Sequence, residues 1–151
     1  MNRIYEEHKS SILDIDANYL CLAMYLIPLL AGLFFSKLRV FGWLIPLIVF
    51  FLEKNSSLVK FHAVQCLVLQ IVMAIINVVL WIMAALSAGV SLLLGLNVFG
   101  FVGSLGLAGL ITTGLSIAII ILEVMGMIKS YQWESYRLPF FGKIADYFVK
   151  E

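Results

Sequence analysis

Few side chains in this sequence can do chemistry, and those sit in apolar surroundings. Glu123 is the one acid set inside a long apolar run, with Lys129 six residues later. That separation is about 9 Å of helix rise. A carboxylate at mid-bilayer costs about 2.5–3.5 kcal/mol on insertion scales, so Glu123 should face protein or water. It could handle a proton or an ion, contact a substrate, or hydrogen-bond another helix; the last is favoured, because a single acid makes a thin relay. Antiparallel packing of the flanking helices is expected to bring it level with Gln65 and Cys66, giving a contact to Gln65 or His62.

His62, Gln65, Gln70 and Asn77 punctuate the preceding apolar run. Gln70 and Asn77 are seven apart and share a helix face, with His62 and Gln65 near the same stripe. Such a stripe lines a conduit or joins helices, and joining is favoured. Gly100, Ser104, Ala108, Thr112 and Ser116 recur every four residues, a spacing that lets helix backbones approach closely or a chain self-associate. Asp14 and Asp16 form a minimal acidic pair, better suited to starting a helix than to holding a metal. His8 and His62 are the only histidines, and no metal-ligand spacing exists. No phosphate loop, nucleophile elbow or zinc-protease helix is present. The expectation is therefore no enzyme, no cofactor and no metal.

The elements that must carry these residues are membrane helices. Residues 63–122 contain no Asp, Glu, Lys or Arg. A span needs about 20 apolar residues, so this tract holds two spans and a connector. The whole 151-residue chain is 63% hydrophobic and 13% charged, with mean hydropathy +1.06, against about 25% charged in soluble domains. Its net charge of +1 gives no general attraction to nucleic acid. Cys21 and Cys66 lie in apolar sequence and form no disulfide framework. Glu6, Glu7, Asp14 and Asp16 stand where a signal peptide would be basic.

The predicted fold is an all-α polytopic bundle. A polar segment, 1–16, precedes a transmembrane domain, 17–130, with segments at about 17–36, 40–52, 58–88 and 104–128. Pro28 should kink the first. The second is short, with Pro46 in its middle, and is a tilted span or a re-entrant hairpin. Asn55 or Ser56 should cap the third segment. Glycines and polar residues place a connector at about 89–103. Residues 131–151 are rich in aromatics, as at a membrane interface, and should form a short amphipathic helix sharing Phe141, Ile144, Ala145 and Phe148 on one face.

Cationic loops mark the cytoplasmic side. With four spans, Arg3, Lys9, Lys54, Lys60, Lys129, Arg137, Lys143 and Lys150 share one side and only Lys37 and Arg39 the other. Three spans give an equally lopsided division, so the C-terminus is expected in the cytoplasm either way. Four spans put Cys21 and Cys66 in the same membrane half; three put them in opposite halves.

Two segments resemble a known family. Val59-Lys60-Phe61-His62-Ala63-Val64-Gln65 looks like its basic-aromatic-His-Ala-x-Gln motif opening a membrane helix. Trp133-Glu134-Ser135-Tyr136-Arg137-Leu138-Pro139, with Gly142 and Ala145 after it, looks like its Gly-Glu-x-x-Arg-x-Pro motif, with Trp133 in place of Gly. Tyr25-Leu26-Ile27-Pro28-Leu29 fits its first-helix pattern. The family is the bacterial group similar to the chloroplast inner-envelope import component, the Tic twenty-like proteins, and the resemblance runs from about residue 18 to 148. It implies four helical spans and membership of membrane assemblies; plant relatives belong to a preprotein translocon, and some bacterial relatives are magnetosome membrane proteins.

The expected function is a small multi-pass inner-membrane subunit or scaffold, embedded in the lipid bilayer, self-associated or bound to other membrane proteins, and linked by that resemblance to protein translocation. A channel or transporter subunit built around Glu123 is the alternative. An immunity protein against a membrane-active peptide is a further one.

Overall fold

The computed structural model describes residues 3–34, 41–93, 98–139 and 141–149. They form five helices: α1 (Ala17–Phe34), α2 (Leu44–Leu52), α3 (Ser57–Leu93), α4 (Val98–Tyr131) and α5 (Gly142–Phe148). No strand occurs among the described residues; two isolated bridges join Ile4 to Glu134 and Lys9 to Asp16.

α3 and α4 are long enough for about 56 and 51 Å at 1.5 Å per residue. They pack as an antiparallel pair. α1 lies against α4 and α3, while α2 and α5 lie against α3. Among the described residues, two helical stretches, Ser57–Val90 and Gly109–Tyr131, are long and apolar enough to cross a membrane; the apolar part of α1, Ala17–Gly32, is shorter. The glycines expected to form a connector at 89–103 do not unwind it that early, for helix persists to Leu93 and resumes at Val98. The helix penalty of a single glycine is only about 1 kcal/mol, too small to end a helix made otherwise of good helix formers.

Pro28 is fully buried within α1, which continues through it. α2 begins four residues later than the expected segment, so Pro46 falls in its first turn, where a missing N–H leaves no helical hydrogen bond unmade. Ser56 caps α3 as anticipated, its Oγ accepting the Val59 N–H at 3.2 Å.

Three apolar clusters hold the molecule, all toward one end. Cys21 and Met24 of α1 meet Val49 of α2 and Leu58, Val59 and Ala63 of α3. Tyr25, Cys66, Leu69, Met73, Ile119 and Leu138 join α1, α3, α4 and the segment after α4. Phe61 and Val64 receive Ala145 of α5. The buried face of α5 is thus Gly142 and Ala145, while Ile144, Tyr147 and Phe148 point outward. Small residues permit the close contact with α3, and the large ones remain outside. Cys66 Sγ donates to the Met24 carbonyl at 3.3 Å, which places Cys66 about one helical turn of α1 from Cys21.

Candidate functional site

The two sequence motifs, about seventy residues apart, meet at the clustered end. Residues 132–139 leave α4 and cross the start of α3 as a strap. His62 is wholly buried beneath it. Its Nε2 lies 3.0 Å from the Glu134 carbonyl, which can only accept, so this nitrogen carries the proton. Nδ1 then accepts from Tyr25 Oη at 3.2 Å. One turn on, Gln65 holds the strap at both polar ends of its amide. Nε2 donates to the Tyr136 carbonyl at 3.0 Å and Oε1 accepts the Leu138 N–H at 3.2 Å.

The N-terminal segment clasps the strap from outside. Tyr5 N donates to the Trp133 carbonyl at 2.8 Å and Ser135 N to the Arg3 carbonyl at 2.9 Å. Lys129 pairs with Glu134 at 2.9 Å, and Arg137 grips Asp146 of α5 through two bonds of 2.6 and 3.0 Å. That carboxylate holds the Arg137 guanidinium above its usual pKa. Gly142 is required here, because a Cβ would stand 2.6 Å from Arg137 Cβ. Trp133 has φ 61°, in the left-handed region that favours glycine. The cost of that conformation is offset by packing of the indole against the α1–α2 cluster and the His8 ring.

Glu53 was not singled out from sequence, yet it organises the same end. It closes α2 and is 2% exposed. Its carboxylate accepts the Ser10 hydroxyl, the Ser11 hydroxyl at 2.8 Å, and the Asn55 and Ser56 N–H groups at 2.9 Å. Burial pushes its pKa up, but the bonds from Ser10, Ser56, Asn55 and Ser11 outweigh that and bring it down to about 2. The available signal was an acid three residues before the helix-capping Ser56, where turn amides converge. His8 completes the clasp, with Nε2 2.7 Å from Ser56 Oγ.

The remaining expected residues divide. Gln70 Nε2 donates to Glu123 Oε1 at 2.6 Å, and both are buried. The expected contact of Glu123 to Gln65 or His62 is corrected: the α3–α4 register is offset by about one helical turn, because Lys60 and Lys129 do not lie at one depth. Asn77 turns back onto its own helix, donating to the Met73 carbonyl at 2.7 Å. Lys60 donates to the Lys54 carbonyl at 3.1 Å, Phe61 stacks edge-on to His62, and Pro139 is exposed. Of the small-residue series, the side-chain positions of Gly100, Ser104, Ala108 and Thr112 lie outside those described, and Ser116 is half-buried. No group of three or more His, Cys, Asp or Glu that could hold a metal occurs among the described residues.

Two clefts open at this end. One, of about 300 Å³, is lined by Arg3, Tyr5, Phe61, Ser135, Arg137, Asp146 and Val149. The other, of about 410 Å³, is lined by residues including Glu7, His8, Asp16, Asn18 and Tyr131.

No solved structure matches the chain. Two relatives from Methanocaldococcus jannaschii do. It is 33% identical over 109 residues to UPF0132 membrane protein MJ1527, covering 72% of this chain and 63% of that protein. It is 32% identical over 107 residues to UPF0132 membrane protein MJ1443, covering 71% and 77%. The chain therefore spans less than two thirds of the first relative's length. The Tic twenty-like assignment is overturned: the family model that matches, over residues 16–145, is a different one, and the matching relatives are UPF0132 membrane proteins. The chain belongs to MamF_MmsF, the magnetosome magnetite crystal formation protein family, and is a small helical membrane protein.

Proposed function

We propose that this protein is a non-catalytic, multi-pass subunit of a membrane assembly. One observation carries the reading. The polar side chains on the apolar helices are engaged within the molecule: His62 and Gln65 with the strap, Gln70 with Glu123, Asn77 with its own helix. Among the described residues these side chains join parts of the chain to one another. Beyond them, α3 and α4 present apolar side chains outward with little of their own chain to cover them. The family's description, crystal formation in magnetosomes, is consistent with work carried out at an organised membrane.

In this reading α1 to α4 all enter the bilayer of the inner membrane. The N-terminal segment, the α2–α3 turn and the strap meet at one end, which supports an even number of crossings. Seven cations, Arg3, Lys9, Lys54, Lys60, Lys129, Arg137 and Lys143, belong to the described segments gathered there, which supports a cytoplasmic location for that end.

Affinity purification from native membranes in mild detergent tests the proposal. The expected result is recovery in a complex of stoichiometry above one, with other membrane proteins or further copies. Repeated recovery of a lone monomer overturns it. Ion or solute flux through reconstituted liposomes that Glu123→Gln abolishes would replace it with the conduit reading.

A further inference from the structure

The cleft of about 410 Å³ between the N-terminal segment, the start of α1 and the end of α4 has walls of two kinds. Rings form one. Tyr19 and Tyr131 meet edge-on with centroids 5.8 Å apart, and Trp133 packs beside the His8 ring at 5.3 Å. Carboxylates of Glu7 and Asp16 form the other. Both acids are exposed, and among the described residues neither side chain makes a hydrogen bond. Asp16 immediately precedes α1, yet its carboxylate accepts no amide there. Lys9 also borders the cleft, but Asp14 holds its ammonium at 2.7 Å. Counting that partner, Glu7, Asp14 and Asp16 oppose one cation, a formal charge of −2 with His8 neutral.

The walls are set by the chain itself. The Ala17 N–H donates to the His8 carbonyl at 3.0 Å, and the buried Asn18 donates through Nδ2 to the Tyr131 carbonyl at 3.3 Å. Aromatic faces and carboxylates together attract a cation, and the rings decide its kind. A metal ion needs several converging ligands, and no group of three or more His, Cys, Asp or Glu that could hold one occurs among the described residues. An alkylammonium is held over ring faces and by charge-assisted bonds to a carboxylate.

The position of the cleft indicates where that ammonium comes from. Tyr19 lies in the first turn of α1 and Tyr131 ends α4, so the cleft opens where two apolar helices begin and end. Both rings are about half exposed, and further along these helices Ile27, Leu30, Val124 and Ile128 are exposed as well. Tyrosines at such a boundary sit at the headgroup level, with hydrocarbon along the helices beyond them.

We propose that this cleft binds an organic ammonium ion, supplied by the ethanolamine headgroup of a phospholipid. The inference rests on α1 and α4 entering the bilayer and not on the protein being an assembly subunit, because it concerns a lipid held by a single chain. Recovery as a lone monomer would leave it standing.

The test uses the full chain in nanodiscs of phosphatidylglycerol with a minor fraction of phosphatidylethanolamine. Lipid retained after re-extraction is counted by native mass spectrometry. Wild type should retain phosphatidylethanolamine about tenfold over its share, the order expected of ring faces and a carboxylate acting on one ammonium. Glu7→Gln should lower that enrichment severalfold with an unchanged thermal midpoint, since the side chain it alters is exposed and makes no hydrogen bond. Tyr131→Leu, at an exposed ring, should lower it as well. Retention of phosphatidylethanolamine only at its share, or an enrichment left unchanged by either variant, overturns the proposal. So does millimolar ethanolamine displacing the lipid and raising the thermal midpoint by itself, which assigns the cleft to a soluble amine. Magnesium chloride with the same effect assigns it to a metal ion and overturns it equally.

Discussion

The two halves of the α3–α4 pair are built on different terms. In the half nearest the strap, Leu58 to Met73 of α3 and Ile119 to Ser130 of α4 contribute the buried positions, and α1, α2, α5 and the strap surround them. In the far half, Ile75, Val78, Trp81, Met83, Leu86 and Val90 of α3 are exposed, as are Leu110, Ile111, Leu115 and Ile117 of α4; Trp81 reaches 78%. The glycines tell the same story. A Cβ at Gly126 would come within 2.8 Å of the Tyr25 ring, whereas at Gly89, Gly106, Gly109 and Gly114 it would meet nothing within 4 Å. The polar side chains that bridge parts of the chain, His62, Gln65, Gln70 and Glu123, belong to the near half, whereas described far-half hydroxyls such as Ser87 and Thr113 bond to their own helix. One half is specified by its own chain, and the other is left to whatever surrounds it.

The largest expected effect breaks the near half at its deepest polar contact. Gln70→Leu removes the donor 2.6 Å from Glu123 and leaves a carboxylate less well solvated at a buried site. We expect a loss of about 2–4 kcal/mol, the range for disrupting a hydrogen bond to a buried charge. Asn77→Leu, seven residues along the same face, removes only a bond to its own helix and should cost less than about 1 kcal/mol. Unfolding in mixed micelles followed by circular dichroism measures both. Equal losses would mean that the far half is as tightly packed as the near one.

Acid should separate the halves differently. Glu53 has its carboxyl held at about 2 in the folded protein against 4.5 when unconstrained. Its contribution is fully present above pH 4.5 and is lost progressively as pH falls toward 2, about 3 kcal/mol in all. Glu53→Gln should abolish this dependence. Fluorescence of Trp133, which packs on the Ala17–Leu58 cluster, should report loosening in that window while helicity of α3 and α4 persists.

How far these contrasts were legible in the sequence depends on which force carries them. The membrane helices were readable because an uncharged run of sixty residues has one physical meaning, and Ser56 was readable as a cap because capping is local. The join between His62–Gln65 and Glu134–Leu138 was not. Neither segment is periodic in a way that points to the other, and the partners of both side chains are backbone atoms, which carry no sequence signature. Glu53 was legible only in part: its bonds to the Asn55 and Ser56 amides are local, but those from Ser10 and Ser11 come from more than forty residues away. The Gln70–Glu123 pair was missed by about one turn, since depth was counted from Lys60 and Lys129 and long flexible cations do not mark depth to that accuracy.

The smallest expected effect is also the sharpest comparison, because it places one methyl group in each half. At Gly126, alanine must displace the Tyr25 ring, which in turn holds His62 Nδ1, so strain passes to the strap. The cost should be about 1–3 kcal/mol, the usual penalty for overfilling a packed contact. At Gly109 or Gly114 the added methyl meets open space, and the helix gains up to about 1 kcal/mol from the better helix former. In detergent as a monomer, Gly126→Ala should therefore lower the thermal midpoint while Gly109→Ala leaves it unchanged or raises it. The same Gly109→Ala protein in native membranes carries a second reading. If another helix approaches that face, alanine should weaken co-purification even though the isolated chain is no less stable. If lipid alone covers it, neither measurement should fall.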